Sequence, residues 1–168
     1  MFLKTTQKFF SVRNKFSIVN INDDQLFFAQ EHFKVRQNCT LYNMDGSVIY
    51  ELECKILSIY GKYFIKDYKG NVVGTIIGKF HKPFVQKWFL EINDSKFVLR
   101  SGGLHCKIFR AGENWKFDSK TDQIGYITKR IGNVKDTYEI EFDEKRLSEK
   151  HAALCMIWMD CRFHGEHH

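Results

Sequence analysis

The 168-residue chain carries 26 Lys and Arg against 20 Asp and Glu, a formal net charge of +6 with pI near 9.0. Hydrophobic residues make up 43% of it, with sixteen Phe and a single Pro. That much apolar material excludes a disordered or low-complexity chain, and the length suits one domain built on one core. The positive balance favours acidic partners: nucleic acid, anionic lipid headgroups or phosphorylated ligands.

The opening MFLKTTQKFF lacks the apolar core of about 7 to 15 residues that marks a secretory signal, and no run approaches about 18 uninterrupted apolar residues. The expectation is a soluble cytoplasmic protein that can also lie peripherally on a membrane. Cys39, Cys54, Cys106, Cys155 and Cys161 are scattered singly without a CxxC pair. They read as reduced thiols used as small buried side chains.

From the N-terminus, TQKFFSV reads as a leading strand. A unit then recurs: an aromatic or β-branched run, an Asn/Asp/Gly turn, and a second apolar run ending in a basic residue. CTLYNMDGSVIYELECK and KYFIKDYKGNVVGTIIGK are the clearest copies. KFSIVNINDDQLFFAQEHFK, KWFLEINDSKFVLR and NWKFDSKTDQIGYITKR are weaker ones, and DTYEIEFDEKRL starts a sixth. The first-strand residues Phe16, Thr40, Tyr63, Trp88, Trp115 and Tyr138 are spaced 24, 23, 25, 27 and 23 apart. Such a period with two strand-like runs per unit predicts a chain of β-hairpins. Val48, Tyr50, Leu52 and Cys54 share one face opposite Glu51, Glu53 and Lys55, so one face of each strand is wet. The count comes to about twelve short antiparallel strands, which protect their edges by closing or by splitting into two packed sheets, and the near-uniform hairpin spacing favours closure into a barrel. The segment SGGLHCKIFRAGE is longer than its counterparts and has room for an extra strand or bulge.

The sixth unit lacks its second strand. Ser148, a favoured N-cap, followed by Glu149, predicts a helix to about Asp160. Its apolar stretch covers about nine residues, roughly 13 Å, under half a bilayer core. A short helix that is apolar all round is normally buried all round. A barrel of about twelve strands is too wide for its own side chains to fill, since about eight already suffice for that. The expected fold is therefore mainly β: a closed antiparallel barrel of about 12 strands threaded by the C-terminal helix, with Leu154, Met156, Ile157 and Trp158 meeting the strands. Residues 1–162 form the domain and 163–168 a flexible His-rich tail.

QKFFSVRNKFSIVN, LYNMDGSVIYELECKILSIYGKYFIKDYKGNVVGTIIGKF, KWFLEI, GYITKRIGNVKDTYEIEF and the terminal apolar helix resemble the LURP-one-related proteins. These belong to the tubby C-terminal-like superfamily, which also includes the phospholipid scramblases. The resemblance covers roughly residues 4 to 161 and implies a twelve-stranded barrel around a central helix. It also implies membrane phospholipid, phosphoinositides in particular, or a signalling and defence role, as the function class. It carries no site residue across.

If the strands alternate direction, the tight hairpin turns gather at one rim and the longer connections at the other. The connection rim then collects Lys34, Lys55, Lys62, Lys79, Lys82, Lys87, Lys129 and Arg130 as a candidate anionic-headgroup surface. The turn rim collects acids such as Asp23, Asp45, Asp67, Asp94, Asp118 and Asp143. GKFHKPFVQKW, around Pro83, combines basic groups with aromatics. The alternative for this surface is solvated strand ends. For function the alternatives are single-stranded nucleic-acid binding, for which no specific motif is present, or protein interaction without lipid.

Chemistry finds little footing. The cluster CRFHGEHH is a free tail without a partner pair at zinc spacing, so no metal or other cofactor is expected. There is no G-x-S-x-G elbow, Gly-rich phosphate loop or H-E-x-x-H, which argues against an enzyme. His105 and Cys106 are neighbours on a strand and point to opposite faces.

Overall fold

A computed structural model of the chain describes residues 1–7, 15–33, 37–55, 61–82, 85–112, 114–115, 122–132 and 136–165. Twelve strands follow one another: β1 (Phe2–Gln7), β2 (Lys15–Asn20), β3 (Gln25–Phe33), β4 (Gln37–Asn43), β5 (Val48–Cys54) and β6 (Lys62–Lys66). The second half comprises β7 (Val72–Lys82), β8 (Val85–Ile92), β9 (Ser95–Gly102), β10 (His105–Arg110), β11 (Gln123–Arg130) and β12 (Thr137–Phe142). One helix, α1 (Glu149–Gly165), ends the described chain. Each strand pairs antiparallel with its sequence neighbours, and β1 pairs with β12 through Leu3 opposite Ile140, so the sheet closes. Closure leaves no edge strand exposed.

Inside the ring lies α1. Every residue from Ala152 to Arg162 is buried. Trp158 meets Trp88 of β8 edge to face at 5.2 Å, while His151 packs between Tyr50 of β5 and Phe97 of β9 at 6.2 and 5.9 Å. Strands far apart around the ring thus touch one helix, so the helix threads the barrel. The expected Leu154, Met156, Ile157 and Trp158 are each 0–1% exposed. The Ser148 hydroxyl accepts from the His151 backbone N–H at 3.3 Å and caps the first turn.

Three sequence expectations need correction. The helix runs past Asp160 to Gly165 because both charges at its end find company inside the barrel. Asp160 adjoins the Tyr138 hydroxyl, whose ionisation is opposed first by burial and then by that carboxylate. The Arg162 guanidinium donates to the Ser101 hydroxyl and lies 5.8 Å from the Trp88 ring. The leading strand, Phe2–Gln7, begins earlier than TQKFFSV, whose residues 8–12 lie outside the described residues. The strand that pairs with β11 is β10, within SGGLHCKIFRAGE, and Trp115 lies in the loop after it with φ +57°. The room for an extra strand in SGGLHCKIFRAGE is thus filled by β10, while the rest of NWKFDSK after Trp115 lies outside the described residues.

That loop has a packing reason. Inward positions on β9 are Phe97, Leu99 and Ser101, yet Val98 and Phe109 of β10, which alternation points outward, are only 0% and 4% exposed. The Ala111 N–H donates to the Lys96 carbonyl at 2.9 Å and continues the β9–β10 pairing, and Lys96 lies with its Nζ 5.6 Å from the Trp115 ring. Trp115 then meets Phe89 edge to face at 5.1 Å. An outer patch of Phe89, Val98 and Phe109 is thereby sheltered outside the barrel wall.

Candidate anion-binding surface

Register makes the site. The two-residue turn at Asn93–Asp94 sets Ile92 opposite Ser95 and hence Lys87 opposite Arg100. Another at Gly103–Leu104 sets Gly102 opposite His105 and Arg100 opposite Lys107. β7 and β8 pair Lys79 with Lys87, with an irregularity between Phe80 and Lys82. Lys79, Lys87, Arg100 and Lys107 therefore stand side by side on the outer faces of four adjacent strands. With strands about 4.8 Å apart, the four cations span roughly 15 Å. No carboxylate stands in the row, which continues into Tyr126 of β11 before reaching Glu141 of β12.

The electrostatics follow from that crowding. Lys79, Arg100 and Lys107 are exposed and Lys87 half-buried. The ammonium of Lys87 is held below the usual lysine range, first by burial and then by the charges of Arg100 and Lys79. Both Lys79 and Lys87 place their Nζ over the Phe89 ring, at 5.1 and 5.2 Å from its centroid. The ring face offers these cations partial compensation. Like charges placed directly opposite on a sheet are destabilising by a few tenths of a kcal/mol or more. An anion lying along the row would relieve that repulsion.

Of the eight residues that the sequence singled out, Lys79 and Lys87 come together in this row. Lys55 is exposed at the end of β5, and Lys62 of β6 lies with its Nζ 4.9 Å from the Phe64 ring, both one hairpin away. Lys129 is buried and pairs with Asp136 at 2.7 Å, and Arg130 pairs with Glu139 at 2.7 Å. Those two charges are already met within the fold. Lys82 ends β7, and Lys34 lies outside the described residues, as does Asp118. Arg100 and Lys107 were missed, although the two short turns fix their register. Tight turns also occur at the rim expected to hold only longer connections, as Gly103–Leu104 shows.

The acids of the opposite rim have local work. The Asp45 carboxylate accepts from the Ser47 N–H at 2.8 Å and Asp67 accepts from the Lys69 and Asn71 N–H groups, both at 2.9 Å. Such bonds shape turns. His105 is exposed and stacks on Tyr126 at 5.5 Å, while Cys106 faces inward, its thiol pushed up to about 12 by burial. A thiol held that high is no nucleophile. No helix among the described residues is long and apolar enough to cross a membrane.

Compared with known proteins, the chain matches no family model, no curated protein and no solved structure.

Proposed function

We propose that this is a non-enzymatic barrel of the tubby-like, LURP-one-related kind that docks on anionic phospholipid headgroups, phosphoinositides included, through the outward basic row. The observation that carries the reading is the uninterrupted alignment of Lys79, Lys87, Arg100 and Lys107 across β7 to β10. The sequence resemblance points the same way. Each basic residue near an anionic bilayer surface contributes about 1 kcal/mol, so four in one row supply about 4 kcal/mol before any specific contact. Lys55 and Lys62 widen the footprint towards β5 and β6. Attraction of this kind is screened over about 10 Å at ordinary salt, so binding should be strongly salt-dependent.

The test is co-sedimentation with vesicles of phosphatidylcholine alone, with phosphatidylserine added, and with a phosphoinositide added. Binding should require the anionic lipids, weaken with salt and be lost in Lys79→Glu/Lys87→Glu/Arg100→Glu with its melting temperature retained. Absence of binding to every anionic vesicle would sink the reading. Retention on single-stranded RNA in place of vesicles would assign the row to nucleic acid.

A further inference from the structure

Three successive hairpins, β2–β3, β4–β5 and β6–β7, are built on one turn design. In each, the N–H of the turn's first residue donates to the carbonyl four positions on: Asn20 to Asp24 at 3.0 Å, Asn43 to Ser47 at 2.9 Å and Asp67 to Asn71 at 2.9 Å. In each, the N–H of the fourth residue returns to the first carbonyl: Asp23 to Asn20 at 3.1 Å, Gly46 to Asn43 at 3.0 Å and Gly70 to Asp67 at 3.0 Å. That fourth residue always has positive φ, +63°, +85° and +82° respectively. Each hairpin also has its register irregularity just inside the turn.

Identical backbones present their second residue identically, and that residue is Ile21, Met44 or Tyr68. They are 76%, 53% and 70% exposed. This turn position accepts almost any residue, so the backbone has no need of an apolar side chain there, and the core gains nothing from one so exposed. The next turn of the same rim, Asn93–Asp94, is polar and carries no such tip. With two strands between neighbouring tips, the three stand about 10 Å apart along one arc of the rim. Tyr68 also lines a groove together with Tyr42 and Val48 of the neighbouring hairpin, which gives the arc relief.

Charge selects the occupant. The three turns hold Asp23, Asp24, Asp45 and Asp67 against Lys69, whose Nζ lies 5.4 Å from the Tyr68 ring, and Lys4 of β1, 3.5 Å from Asp23, so carboxylates still outnumber cations there in a chain whose net charge is +6. The Ser47 hydroxyl and N–H hold the Asp45 carboxyl below the usual range, so it stays ionised. An anionic lipid or nucleic acid is repelled here. We infer that the crown of Ile21, Met44 and Tyr68, with the carboxylates of Asp23, Asp45 and Asp67 among them, docks a protein segment that alternates apolar and basic side chains. An α-helix repeats a side chain every two turns, about 10.5 Å, which matches the tip spacing. The crown sits at the rim opposite the end of the barrel near the basic row, so the inference stands whether or not that row binds lipid.

The experiment selects a display library of short random peptides on the full chain and counter-selects on Ile21→Ser/Met44→Ser/Tyr68→Ser. The three positions are exposed, so the variant should keep its melting temperature, which is measured alongside. Selected peptides should be rich in Lys or Arg with interspersed apolar residues. They should lose at least about tenfold in affinity on the variant, the scale of one interface hot spot. No enrichment over the variant, or enrichment of acidic peptides, overturns the inference. So does salt-sensitive self-association of the wild type that the triple substitution abolishes, which would make a second copy the occupant. So does binding to phosphatidylcholine vesicles that the same variant loses, which would make the tips lipid anchors.

Discussion

On β7 to β10, one step along the chain separates two rows with different duties. The inner row, Gly78, Trp88, Leu99 and Ile108, faces the helix and is buried. The outer row, Lys79, Lys87, Arg100 and Lys107, faces solvent and sets like charges opposite one another. Space dictates the inner residues: Trp88 must meet Trp158, and a Cβ on Gly61 would come within 2.7 Å of the Trp88 ring. Packing does not dictate the charges of the outer row, where cation beside cation costs stability. Residues that the fold does not require, and is slightly weakened by, are where a binding role is best sought.

The two rows should therefore separate by experiment, stability following the inner one and binding the outer. The largest effect belongs to Trp158→Ala. Removing a fully buried ring from the helix that fills the barrel should cost about 3 to 5 kcal/mol. For a chain of this size that lowers the melting temperature by roughly 10 °C. Vesicle binding below the lowered transition should persist. An unchanged melting temperature would overturn the threaded-helix architecture and return α1 to the status of a partner-binding element.

That architecture could be read from the chain with little help, because hairpin spacing, strand alternation and an all-apolar helix without a second strand beside it are local signals that agree. The misreading around Trp115 has a physical cause. NWKFDSK has the aromatic content of a strand, whereas the strand it displaced, HCKIFR, follows an ordinary two-residue turn at Gly103–Leu104. The available clue was a break in alternation: Phe97, Val98 and Leu99 run apolar on both faces, as do Ile108 and Phe109. Apolar residues on an outer face call for a cover, and the Trp115 loop is that cover. Lys79 and Lys87 could be singled out by composition near the rim. Arg100 and Lys107 become visible only when register is counted outward from both turns, since a row across four strands has no footprint in any single segment.

A smaller effect concerns the inner wall and pH. His151 lies between Tyr50 and Phe97, and burial holds its imidazole below the usual value of 6.5. In the unfolded chain this histidine takes up its proton first as pH falls. Stability is therefore complete above pH 6.5 and declines as pH drops from there through the lower folded-state value. Replacing the ring by an apolar one of similar shape, His151→Phe, should flatten that part of the profile. Thermal melts of wild type and variant between about pH 7.5 and 5.5 decide it. Parallel profiles would show that His151 takes up its proton without cost and is less sequestered than its neighbours imply.

The smallest stability effect has the opposite sign and tests the outer row most directly. Lys87 is squeezed between Lys79 and Arg100 on the neighbouring strands, and its ammonium is disfavoured by burial and by both charges. Lys87→Gln removes the central cation, including the ammonium that lies over the Phe89 ring. Relief of two like-charge contacts should raise stability by a few tenths of a kcal/mol, a gain that salt diminishes. Binding to anionic vesicles should fall at the same time, since the row loses its middle charge. A gain in one property and a loss in the other, from one substitution on a surface strand, distinguishes a functional row from solvated strand ends. If Lys87→Gln leaves vesicle binding intact while the melting temperature rises, the row carries repulsion without a ligand, and the membrane contact must be sought among Lys55, Lys62 and their neighbours on β5 and β6.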